Sequence, residues 1–227
     1  MLTRKAVKWY LKGLFPPAAT SVLLLLTFIA ADSSLKAIKT YGPGQFISLM
    51  EYIFFPIYAL LIGSHVFRDS RTTIFELSVF NGPKRVFIGR LTSVTIGLLP
   101  GIAGVALLAW WRGYTYFVSP LLLKIPIYIA FIAVLMTYLD SLAGTLILFV
   151  LTSAVPMSFS VLLGKPNGDT VNTLMSGLAY LFAPITATKY EPLLSIGNST
   201  GYSLAIILSI LLILWAYTAF SRREFVP

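Results

Sequence analysis

Apolar residues in this chain come in long unbroken runs rather than at the spacing of a half-buried helix or strand. Six runs reach the roughly 20 residues of helix that a hydrocarbon core of about 30 Å requires. They lie near residues 14–31, 46–67, 86–111, 120–139, 141–163 and 201–220. The pattern predicts an all-α, polytopic membrane protein with six transmembrane helices in a single domain over 1–227. The leader reads differently. At about 100° per residue, Arg4, Lys5, Lys8 and Lys12 share one arc, while Leu2, Val7, Trp9, Tyr10 and Leu14 spread over the other side. Residues 1–13 are therefore expected to lie along the membrane surface, with Pro16 and Pro17 at the bend into the first span. Within the outer segment 164–200, "VNTLMSGLAYLFAPITAT" is apolar but short and broken by Gly177 and Pro184; it predicts helical pieces that re-enter the outer leaflet under protein cover.

Composition excludes a soluble fold. The chain is 57% hydrophobic and 11% charged, with a mean hydropathy of +0.85, too few charges to coat a soluble core. A formal charge of +9 raises the question of nucleic acid, yet the cations stand singly or in small groups beside apolar runs, so topology accounts for them. With the N-terminus inside, Arg4, Lys5, Lys8, Lys12, Arg68, Arg71, Lys84, Arg85, Arg90, Arg222 and Arg223 face the cytoplasm. Those are eleven of the seventeen basic residues. Lys36, Lys39, Arg112, Lys124, Lys165 and Lys189 face outward, so both termini are expected in the cytoplasm and the chain in the plasma membrane. Lys124, near the outer end of the fourth span, is expected to reach the headgroups along its stem. The basic start and small residues at "FIAADSS" also fit a cleavable signal peptide, but keeping the segment preserves an even, self-consistent topology. Cysteine is absent, which removes disulfides, thiol nucleophiles and thiolate metal sites.

The main polar break, "FRDSRTTIFELSVFNGPKRVFIGR" over 67–90, carries seven charged side chains between two apolar stretches. Thr73 as N-cap with Glu76 three residues on makes a capping box, while Asn81, Gly82 and Pro83 end one helix and open the next. A short cytoplasmic helix over 73–81 follows. Its Ile74, Phe75, Leu77, Val79 and Phe80 are apolar on nearly every side, more than a free surface helix would show. One side is expected to rest on the span ends and the other to seat in a partner, with a helix lying in the lipid interface as the plainer alternative.

This stretch resembles the cytoplasmic loop of type-2 ABC transporter permeases, where a sequence of the form G-T-x-E-L-L-x-x-x-P-x-S-R makes the coupling helix and leads into the third span. Glu76, Leu77, Pro83, Arg85 and Arg90 match; Thr72 stands for the Gly, Ser78 for the second Leu and Lys84 for the Ser. Six spans, a basic leader and outer re-entrant pieces extend the likeness along the chain. The resemblance implies a membrane-spanning subunit of an ABC exporter: two permeases, of the same or a related chain, over two copies of an ATP-binding subunit. ATP and magnesium would belong to that partner, and no cofactor to this chain. The implied ATPase contact is Arg71, Ile74, Phe75, Glu76, Leu77, Phe80, Pro83, Lys84 and Arg85, with Ile74, Leu77 and Phe80 as anchors and the cations, Arg68 included, as a rim that sets register. The residues themselves agree that energy must come from elsewhere: there is no phosphate-binding G-x-x-x-x-G-K-[ST] loop, and "GKP" at Gly164 lacks both the first Gly and the hydroxyl.

Other chemistry is sparse. His65 is the sole histidine and adjoins Ser64 on a helix, where neighbours do not face each other; a structural role is expected. Asp140 reads as a helix cap. Glu51, Tyr52, Phe55 and Tyr58 form a candidate substrate path, with interface anchoring as the commoner role for such residues. Gly97, Gly101 and Gly104, with Pro100, are expected to let another helix come close. "NST" at Asn198 fits a weak glycosylation pattern. A stand-alone secondary transporter would show repeats or a carboxylate deep in a span, and the sequence suggests neither; a membrane scaffold using the same short helix stays open.

Overall fold

The computed structural model describes residues 2–14, 17–67, 70–163 and 173–222. Helices α1 (Leu2–Leu14) and α2 (Pro17–Tyr41) come first, then a second span made of α3 (Gly44–Ile47), a π-helical segment Ser48–Phe54 and α4 (Phe55–Ser64). The short α5 (Ser70–Phe80) leads into α6 (Pro83–Trp111). A 3-10 turn, Thr115–Phe117, opens the fourth span, α7 (Val118–Tyr138). The fifth is α8 (Ser141–Phe149), a second π segment Val150–Ala154 and α9 (Val155–Leu163). Then α10 (Thr173–Phe182), α11 (Pro184–Lys189) and a 3-10 turn, Glu191–Leu193, precede α12 (Asn198–Arg222). Six of these stretches are long and apolar enough to cross a membrane, and the described residues hold no strand. This is the architecture of a multi-pass membrane protein. The first span continues to Tyr41 instead of stopping at residue 31, because Asp32 and Lys36 pair with each other at 2.6 Å and so stay within the helix.

Alternating spans place α1 and α5 at one end of the bundle and α10 and α11 at the other. The core runs along α7, two thirds of whose span window is buried (67%), against 22% for both α2 and α12. Close approach depends on the glycines of α6. A Cβ at Gly101 would stand 2.5 Å from Tyr58, one at Gly97 3.0 Å from Ile62 and one at Gly104 2.5 Å from Phe28, so α4 and α2 pack where no larger residue fits. Tyr58 Oη then donates to the Gly97 carbonyl at 2.5 Å.

The two π segments have a common cause. Each ends just before a proline, Pro56 or Pro156, whose missing N–H leaves the carbonyl four residues earlier without its α-helical donor. For Pro56 that carbonyl belongs to Tyr52, and Ser153 Oγ of the facing π segment donates to it at 2.7 Å. One backbone irregularity thus satisfies the other.

Candidate functional site

At the α1/α5 end, the helix expected over 73–81 runs instead from Ser70 to Phe80. Thr73 therefore lies inside it, and the expected capping box does not form. Glu76 turns into the protein and is wholly buried. Its Oε2 accepts from Arg90 Nη2 at 2.6 Å, from Arg90 Nε at 3.0 Å and from Tyr10 Oη at 2.6 Å. Arg90, 1% exposed, also donates to Thr73 Oγ1 at 3.0 Å and lies 5.9 Å from the centre of the Phe220 ring. One carboxylate thus joins α1, α5 and α6, with α12 against the guanidinium. Burial pushes the Tyr10 phenol above its ordinary value, outweighing the opposing pull of Arg90, so it stays a donor. The helix stops as the sequence predicts: Asn81 takes a left-handed φ of 56°, Gly82 has φ 116°, and Gly82 N–H donates to the Leu77 carbonyl at 3.1 Å.

Among the expected contact residues, Phe75 is 60% exposed, with Val79 outward one turn on, and Lys84 is exposed beside Pro83 and the half-buried Arg85. Ile74 and Leu77 are half-buried. Phe80 points inward, 6% exposed, with Trp9 and Tyr10 at ring separations of 5.9 and 6.0 Å. Phe80 is therefore a strut between α5 and α1, not an outward anchor, and Phe75 and Val79 form the free apolar face. The Arg71 side chain, Arg68, Lys165, Arg223 and the stretch 164–172 lie outside the described residues.

The far end holds a second charged cluster, which corrects two expectations. Lys124 does not reach for headgroups. It is fully buried, with Nζ 2.9 Å from Glu51 Oε1 and 3.1 Å from the Phe182 carbonyl. Glu51 is equally buried, seven residues and so roughly 10 Å of helix rise inside the second span. A carboxylate does sit deep in a span, contrary to expectation. It also accepts from Ile185 N–H at 3.1 Å, Thr186 N–H at 2.7 Å and the Thr186 hydroxyl. The first turn of α11 is thereby fastened to the second and fourth spans. Tyr128, one turn beyond Lys124, brings its ring centre within 5.5 Å of the ammonium, and its buried hydroxyl has no hydrogen-bond partner among the described residues.

Of the candidate substrate path, Phe55 and Tyr58 are buried in the bundle and Glu51 is engaged as above. Tyr52 lines a cleft of about 210 Å³ with Ser48, Ser160, Thr186 and Lys189, and its hydroxyl is 2.6 Å from Thr186 Oγ1. The other expectations resolve simply. Asp140 caps α8, accepting from Ala143 N–H at 2.9 Å, and His65 caps the end of α4. The Asn198 amide donates to Glu191 at 2.5 Å and accepts from Tyr180 Oη at 2.7 Å.

The Glu51–Lys124 pair had a signal in the sequence: opposite charges lie at similar depth from the N-terminal ends of two apolar spans that run in the same direction. The Glu76–Arg90 pair joins different helices at a separation that no periodicity reports. No protein-family model and no curated protein matches this chain.

Proposed function

We propose that this chain is the membrane-spanning subunit of an ATP-driven ABC exporter, energised by a separate ATP-binding subunit seated against α5. The observation that supports this reading most is the build of α5. It is a short helix between the second and third spans, with its acid locked to Arg90 of the third span and its Phe75 and Val79 outward beside Lys84. A helix that only filled a gap would turn those apolar side chains inward. Fully burying a side chain of this kind contributes roughly 1.5–3 kcal/mol, so two of them in a partner's groove make an anchor.

The same geometry supplies a transmission. A push on α5 bears directly on Arg90, hence on α6, because removing either member of a buried ion pair costs about 3–5 kcal/mol and the joint resists parting. In this reading α1 lies at the cytoplasmic face with Lys5, Lys8 and Lys12 outward, α10 and α11 are the re-entrant pieces, and two permease copies share the substrate path.

Phe75→Asp and Val79→Asp are expected to insert and fold normally while losing the co-purifying ATPase; a variant that retains it at the wild-type level contradicts the assignment. The buried Glu51–Lys124 pair favours a second reading, a stand-alone secondary transporter that moves its substrate by titrating or parting those charges. Transport by liposomes holding this chain alone, driven by a proton gradient and abolished by Glu51→Gln, would establish that reading over the first.

A further inference from the structure

Near the far end of α2 and α6, two cations pair with a single carboxylate and a third lines the same cleft. Arg112 donates to Asp32 through Nε at 2.8 Å and through Nη2, and Lys36 reaches the other carboxylate oxygen at 2.6 Å. Lys39, one turn beyond Leu35 on α2, has no ion-pair partner among the described residues. Leu35, Lys36, Lys39, Arg112 and Tyr114 line a cleft of about 220 Å³. Three positive side chains against one acid leave an excess of two charges, and the donors are ammonium and guanidinium groups suited to a phosphoryl oxygen.

The cleft's surroundings choose among the molecules that carry such a group. Arg112 lies 4.9 Å from the ring centre of Trp111, which is 71% exposed; Trp110 and Leu107 follow at 61% and 64% on the outer surface of the same helix. Tyr41 and Tyr116 are exposed close by in the chain, at the adjoining ends of α2 and the fourth span. Exposed Trp and Tyr at the end of an apolar span mark headgroup depth, and the exposed Leu107 continues toward the hydrocarbon. A free solute would gain nothing from that apolar track. We propose that this cleft binds the headgroup phosphate of an anionic phospholipid, whose acyl chains run down α6 past Trp110 and Leu107. The site is independent of what the protein transports.

Native mass spectrometry of the purified full chain, supplied with phosphatidylglycerol or phosphatidylcholine, tests it. Wild type is expected to retain phosphatidylglycerol in preference. Lys39→Gln, which disturbs no ion pair, is expected to lower that retention roughly fivefold, the effect of one cation lost near an anionic headgroup. Lys189→Gln removes the same charge at the same end of the bundle but outside the cleft, and is expected to change nothing. Equal losses in the two variants would reduce the effect to diffuse charge and overturn the proposal, as would equal retention of both lipids. Displacement of the lipid by millimolar inorganic phosphate would assign the cleft to a soluble phosphoryl compound and overturn the lipid. An unchanged helical circular dichroism spectrum confirms that Lys39→Gln is folded.

Discussion

A charged side chain inside an apolar bundle is stable only through its partners, and Lys124 shows how many it takes. Its ammonium meets Glu51, the Phe182 carbonyl and the face of Tyr128, while Glu51 draws two further backbone N–H groups and a hydroxyl from α11. Removing one charge leaves the other buried and uncompensated. Lys124→Met is therefore expected to cost about 3–5 kcal/mol of stability, and adding Glu51→Gln to it should recover part of that loss. Unfolding in detergent checks both, and a double variant no more stable than the single would deny the coupling. This site was only partly legible in the sequence. Glu51 and Lys124 are conspicuous as charges in apolar runs, but each alone reads as an interface residue. Only the packing of the second and fourth spans, which run in the same direction, reveals them as one pair. Their third partner, the backbone at Ile185 and Thr186, carries no side-chain signature beyond the Thr186 hydroxyl.

Among the elements, the irregular ones were hardest to foresee. The spans follow from apolar run length alone, and the stop after α5 from Asn81, Gly82 and Pro83. Thr73 and Glu76 also match a capping box, yet α5 begins a turn earlier, at Ser70, and Glu76 turns inward to Arg90, so neither side chain sits at the helix start where the box would close. The π segments were hidden for a different reason: Pro56 and Pro156 announce a disturbed helix, but not that Ser153 will take the carbonyl released by Pro56. Ser153→Ala deletes that donor, and the loss of one such hydrogen bond is expected to destabilise the bundle by about 0.5–1.5 kcal/mol. Thermal unfolding should show a small downward shift, with no change in helix content. A shift as large as that of Lys124→Met would mean that the two kinks do more than satisfy each other.

At the scale of the whole molecule, six apolar helices and two differently charged ends leave one question, which end faces the cytoplasm. The absence of native cysteine makes this directly measurable. Cysteines placed singly at the exposed Lys84 and Lys39 lie at opposite ends of the bundle. In intact cells an impermeant maleimide is expected to label the second and spare the first, in keeping with the excess of basic residues toward the α1/α5 end. The reverse pattern would invert the orientation and place α5 beyond the reach of any cytoplasmic ATPase.

The depth of α7 within its neighbours also bears on how the protein is made. The fourth span packs most extensively against α12, and Thr137 Oγ1 leans toward the Ala216 carbonyl at 3.5 Å across that seam. Until the sixth span emerges from the ribosome, this face of α7 is without its covering helix. Nascent chains stalled before the sixth span are therefore expected to expose an unsealed seam on α7 to membrane proteases, which a chain carrying α12 would cover.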